Sequence, residues 1–125
     1  MNPILLLAIA AGALVGAPSR YLLDGAVNRR TDSELPWGTF LINVTGSLLL
    51  GLLAGLVLAH HLGSVTNALV GTGFCGAYTT FSTFTYETLR LIEEGELRQA
   101  ALNVTASVVI GLAAASVGVA VGLAA

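Results

Sequence analysis

Gly76-Ala77-Tyr78-Thr79-Thr80-Phe81-Ser82-Thr83-Phe84 lies inside a run, residues 35–86, that holds no Asp, Glu, Lys or Arg. A run of that length fits two bilayer crossings of ~20 apolar residues each, at 1.5 Å rise, joined by the connector His60-His61-Leu62-Gly63-Ser64. The quoted stretch falls in the second of these crossings, yet it is a poor helix former. Gly71, Gly73 and Gly76 precede the β-branched Thr79, Thr80 and Thr83. The reading predicts a helix that breaks here. Broken backbone is tolerated inside a membrane only where protein buries it or where it lines a cavity. Its freed carbonyls are then available to a cation, and nearby hydroxyls and amide N–H groups to an anion. Phe81 and Phe84 share a face if helix resumes after the break. Their ring edges carry the positive partial charge that contacts an anion, although packing is the ordinary role of a membrane phenylalanine.

Outside this run the charges are clumped. Residues 1–19 are free of charge and lack the basic start of a secretory signal, so a first span is expected at about 3–23. Residues 24–36, with Arg29, Arg30, Asp32 and Glu34, read as a surface segment or short interfacial helix, and Trp37 marks the return to the bilayer. Residues 87–98 read as a solvated helix end and turn. The expected architecture is one all-α integral membrane domain, 1–125, with spans at 3–23, 37–59, 65–86 and 100–124. The second and third are expected to form a hairpin. Four crossings place both termini on one side and both arginine-bearing segments on the other.

Composition agrees. Of 125 residues 55% are hydrophobic and 10% charged, where a soluble domain carries ~25% charged; mean hydropathy is +0.85. All five cations are arginine and the net charge is -2, which leaves no basic surface to hold nucleic acid. A single Cys75 excludes an intramolecular disulfide and a cysteine-rich metal site, and it reads as a small buried apolar residue. G-x-S-x-G, H-E-x-x-H and S-x-x-K are all absent, so an enzyme is not expected. Arg20 and Glu87 lie at or near span ends, and no ionisable residue falls at a span centre. That disfavours a proton-coupled carrier, and a small multidrug exporter would require an acid in the first span. Adjacent His60 and His61 suit a solvated turn better than a metal site.

Glycine pairs four apart, Gly12 and Gly16, Gly51 and Gly55, Gly118 and Gly122, flatten helix faces for close packing and favour oligomerisation. Asn43-Val44-Thr45-Gly46-Ser47 aligns without gaps on Asn103-Val104-Thr105-Ala106-Ser107, and the same offset of sixty places Gly16-Ala17 on Gly76-Ala77. A duplicated two-helix unit is one explanation and biased composition the other. Asn43 with Ser47, and Asn103 with Ser107, each line one helix face. They serve either as glue between helices or as an uncharged polar track that replaces an anion's hydration. The Gly71-Thr72-Gly73-Phe74-Cys75-Gly76 match to a nucleotide fingerprint fails for want of a strand-turn-helix context, and the two Asn-Val-Thr sequons lie inside expected spans.

Three blocks together resemble the Fluc/CrcB family of bacterial fluoride channels. They are Gly16-Ala17-Pro18-Ser19-Arg20-Tyr21, Trp37-Gly38-Thr39-Phe40-Leu41-Ile42-Asn43-Val44-Thr45-Gly46-Ser47, and Gly73-Phe74-Cys75-Gly76-Ala77-Tyr78-Thr79-Thr80-Phe81-Ser82-Thr83-Phe84-Thr85. The resemblance covers nearly the whole chain. It implies a fluoride-selective channel that passively exports fluoride across the plasma membrane of a prokaryote and so relieves fluoride toxicity. It further implies an antiparallel dual-topology homodimer with two pores and a structural sodium ion (Na+) at its centre. Carried over by position, Phe81 and Phe84 contact fluoride, Asn43 lines the pore, and Ser82 and Thr83 are the hydroxyl-bearing neighbours. Asn103 and Ser107 continue the track on the last helix, although family members often carry an aromatic hydroxyl where Asn103 stands. Backbone carbonyls of Gly76 and Thr79 hold the sodium. Glu87 matches a vestibule acid and Arg20 a family arginine, for which helix stapling and anion attraction are both open. All five arginines lie on one side, which favours a single orientation and leaves a heterodimer with an oppositely oriented homologue as the alternative.

Overall fold

A computed structural model describes residues 2–125, and among them there is no strand. Helix α1, Pro3–Arg30, starts at an Asn2 side chain that accepts the Ile4 N–H at 2.9 Å, with proline in the first turn where its missing N–H costs nothing. The helix runs on past residue 23 because nothing between Asp24 and Arg30 forces it to stop. Arg29 and Arg30 then sit in its last turn, against the negative end of the helix dipole. Segment 24–30 is thus helix rather than irregular surface chain.

Helix α2 is Trp37–Leu58. Its exit is a tight reversal. The His61 N–H reaches the Leu56 carbonyl at 2.9 Å, and His60 takes the left-handed conformation (φ 61°) that glycine usually supplies. Helix α3, residues 64–78, has an α-helical turn at each end, Ser64–Thr66 and Gly76–Tyr78, around a wider π-helical coil, Asn67–Cys75, that contains Gly71 and Gly73. Helix α4, Ser82–Glu93, ends in a second reversal through Gly95 (φ 79°), and α5 is Leu97–Ala124. Helices α1, α2 and α5 are long and apolar enough to cross a membrane. The starts of α2 and α5, Trp37 and Leu97, keep the offset of sixty seen in the sequence.

Although α2 and α3 follow one another through a short turn, each lies mainly along another helix: α2 along α5, and α1 along α3. Glycine decides these partners. Gly51 and Gly55 lie against the Ala115 and Val119 carbonyls, while Gly118 and Gly122 lie against those of Leu48 and Leu52. In the other pair Gly12 and Gly16 meet the Leu69 and Phe74 carbonyls, and Gly73 meets Ile9. A Cβ at any of these positions would overlap backbone, so all three G-x-x-x-G faces are spent on backbone-to-backbone approach. Ile42, Cys75 and Leu91 are fully buried between the layers, while Leu7, Leu14 and Leu112 stay on an apolar exterior.

Candidate functional site

Between α3 and α4 the chain leaves the helix. Thr79 is extended (φ -78°, ψ 160°) and helix resumes only at Ser82. One side chain of α2 takes up the main chain at this joint: Asn43 Oδ1 accepts the Thr80 N–H at 2.9 Å, and Asn43 Nδ2 donates to the Thr80 carbonyl at 2.8 Å. In an uninterrupted helix that N–H would bond the Gly76 carbonyl, so the clamp also releases Gly76. Arg20, from α1, donates to the Thr79 carbonyl at 3.3 Å. Just before the joint the Tyr78 hydroxyl lies 2.9 Å from Thr45 Oγ1; the Thr45 hydroxyl is committed to the Leu41 carbonyl at 2.7 Å, so Tyr78 is the donor. Gly46, lacking a Cβ, admits the Thr79 methyl. Helix α2 therefore holds residues 78, 79 and 80 in succession.

Beyond the joint Thr80 Oγ1 accepts the Thr83 N–H at 3.2 Å, in the manner of a helix cap, and lies within 3.4 Å of the Ser82 hydroxyl. The Phe81 and Phe84 rings follow, their centroids 6.0 Å apart at 43°. Phe81 is 76% exposed and Phe84 half-buried. A polar cleft of about 160 Å³ adjoins the joint, bordered by Arg20, Asp24, Thr39, Thr80 and Thr83. Thr39 also donates to Glu87 Oε1 at 2.5 Å, which ties the start of α2 to the middle of α4.

The structure brings Arg20, Asn43, Gly76, Thr79, Ser82, Thr83 and the phenylalanines to one joint, with Glu87 reached through Thr39. It does not bring Asn103 there. Asn103 is 5% exposed, donates to Thr88 Oγ1 at 2.8 Å, and borders a second, apolar cavity of about 320 Å³ with Trp37, Phe40, Leu102 and Ile110. Ser107 is half-buried one turn further along α5, and Ser47 turns its hydroxyl back to the Asn43 carbonyl at 2.7 Å. Tyr78, Thr45 and Thr88 were not singled out from the sequence. Their roles depend on contacts across helices, for which spacing along one helix carries no signal. At the arginine-bearing end Glu34 lies beside Glu96, and its negative charge pushes the Glu96 carboxyl above the ordinary range.

The family described as CrcB-like protein, Camphor Resistance (CrcB), matches residues 7–119. A protein of Streptomyces avermitilis named fluoride-specific ion channel FluC 1 is 56% identical over 113 residues, covering 90% of this chain and 91% of that one. The protein of the same name from Frankia casuarinae is 52% identical over 119 residues, covering 91% and 92%. A third, from Leifsonia xyli, is 43% identical over 122 residues, covering 98% and 89%. With three membrane-capable helices, a polar joint between α3 and α4, and similarity over most of its length, the chain belongs to the CrcB family, a family of multi-pass ion channels and not of enzymes.

Proposed function

We propose that this chain forms a fluoride-selective channel that lets fluoride leave the cell passively across a prokaryotic plasma membrane and so relieves its toxicity. The observation that carries the reading is the Asn43 clamp on Thr80, with Phe81 and Phe84 directly beyond it. Fluoride is small and strongly hydrated, so its dehydration must be offset by uncharged donors and ring edges, while a narrow path under-coordinates chloride. Thr80, Ser82 and Thr83 supply hydroxyls, Asn43 an amide, and Phe81 and Phe84 the ring edges. Ser107 continues the track from α5, while Asn103 faces a separate apolar cavity, and Arg20 and Glu87 stand at the mouth of the path. Weak-acid HF that enters from acidic surroundings dissociates inside, and the pore returns the trapped anion.

In this reading α3 and α4 together make a fourth crossing, broken at Thr79 and Thr80, and two chains assemble as an antiparallel dual-topology homodimer. The 76% exposure of Phe81 in a single chain supports assembly. A structural sodium ion sits at the dimer centre. The Gly76 and Thr79 carbonyls fit it, because both stand outside the helical ladder and a hard cation takes oxygen ligands; the second chain would supply the rest. The arginines at one end leave, as the alternative, a single orientation paired to an oppositely oriented homologue.

Passive halide efflux from liposomes that hold this chain alone tests the reading. Fast fluoride loss without chloride loss is the expected result. Silence of the chain alone, cured by an oppositely oriented homologue, would replace the homodimer with a heterodimer; silence in both would end the channel reading.

A further inference from the structure

We propose that Thr88 is a positioning residue of the anion path, through which Asn103 fixes where Phe84 stands; the proposal rests on the channel reading above. The Thr88 hydroxyl has one hydrogen, and it is donated to the Phe84 carbonyl one turn back at 2.8 Å. Its oxygen is left to accept, and the Asn103 amide nitrogen supplies that bond at 2.8 Å. The direction of the relay is thereby set: Asn103 to Thr88 to Phe84. The relay joins α5 to α4 within one turn of the ring pair, beside the fully buried Leu91.

Asn103 itself is badly placed to meet an ion. It is 5% exposed, and the cavity it borders is otherwise lined by apolar groups, among them Trp37, Phe40, Leu102 and Ile110. A dehydrated anion there would face an almost wholly apolar surface, at a desolvation cost that the Asn103 amide does not offset. The polar cleft at Arg20, Thr39, Thr80 and Thr83 is a separate space. Asn103 therefore acts on the path by holding the turn that carries Phe84.

Fluoride efflux and the fluoride-to-chloride permeability ratio are measured in liposomes for Thr88→Val, Thr88→Ser, Asn103→Leu and the double variant Thr88→Val/Asn103→Leu. Thr88→Val is expected to slow fluoride efflux by roughly threefold to tenfold, the range set by one lost hydrogen bond, and to lower the ratio. Thr88→Ser, which keeps the hydroxyl, should restore both. Asn103→Leu should match Thr88→Val, with no further loss in the double variant. A merely structural defect would reduce the number of working channels and leave the ratio alone. If Asn103→Leu slows efflux by its full factor in the Thr88→Val background, Asn103 meets the ion directly and the proposal falls. It also falls if Thr88→Val keeps the wild-type ratio. Should Thr88→Val not fold, Thr88→Ala, which likewise removes the hydroxyl, takes its place, and a wild-type ratio overturns the proposal in the same way. If wild-type liposomes release no fluoride with or without a partner homologue, the channel reading fails first and takes this proposal with it.

Discussion

Asn43 and Asn103 stand sixty residues apart, each opening the same Asn-Val-Thr-x-Ser pattern and each on one of two helices packed against each other. Their bonds differ in kind. Asn43 binds main chain, closing both the N–H and the carbonyl of Thr80, and the helix facing it is interrupted there. Asn103 binds a side chain, Thr88 Oγ1, and the helix facing it is continuous. A carboxamide that offers donor and acceptor together can replace the helical ladder, whereas one directed at a hydroxyl only joins two helices. Local propensity alone does not place the interruption: Pro18 lies inside an unbroken α1, at a position that aligns with Tyr78 just before the joint.

The largest effect expected of this difference is on ion flow. Asn43→Leu strands two backbone groups at the joint, each costing ~1–3 kcal/mol unless the helix closes over them, and fluoride efflux should fall by roughly 100-fold. Asn103→Leu should cost only the roughly threefold to tenfold loss argued above. Equal losses in a liposome efflux assay would erase the distinction between the two amides.

The next effect concerns stability and uses another pair at the same offset. Gly51 has the Ala115 backbone where its Cβ would be, while Gly111 has only the Ser47 hydroxyl, at 3.7 Å. Gly51→Ala should lower stability by ~1–3 kcal/mol through overpacking. Gly111→Ala should be neutral or slightly stabilising, since alanine is the better helix former. Thermal unfolding in detergent measures both, and a sensitive Gly111 would mean that a second chain covers that face.

How far these features were legible in the sequence depends on what produced them. Charge-free runs show α1, α2 and α5, and the glycine spacings show that their faces would be flat. Which flat face meets which is not written in either face, so the α2–α5 and α1–α3 pairs emerge only in three dimensions. The run past residue 23 escaped because charge marks where a chain meets water rather than where a helix stops. At the joint, threonines after glycines mark residues 76–84 as a weak helix. The agent that opens it, Asn43, comes from thirty-seven residues away. Thr88 carried no mark at all, being one threonine among many until Asn103 is seen to touch it.

The smallest effect lies at the exposed end, where the Glu34 charge raises the Glu96 carboxyl. A carboxyl whose pKa is raised by folding favours the folded state less once it ionises, so stability should rise as pH falls through that raised value. Glu96→Gln should give a small gain in Tm at neutral pH, and the gain should vanish in acid, once the Glu96 carboxyl is protonated. A gain that persists in acid would assign it to something other than charge.

The glycine seams also govern which sequence changes the chain can absorb. Glycine is the smallest residue, so every missense change at Gly12, Gly16, Gly51, Gly55, Gly118 or Gly122 adds atoms where backbone already stands. A leucine on the lipid side has many tolerable replacements; a seam glycine has none. Inherited variation in this protein should therefore be scarce at its least decorated positions and plentiful on its bulky exterior, the reverse of a soluble protein whose large core side chains are the guarded ones.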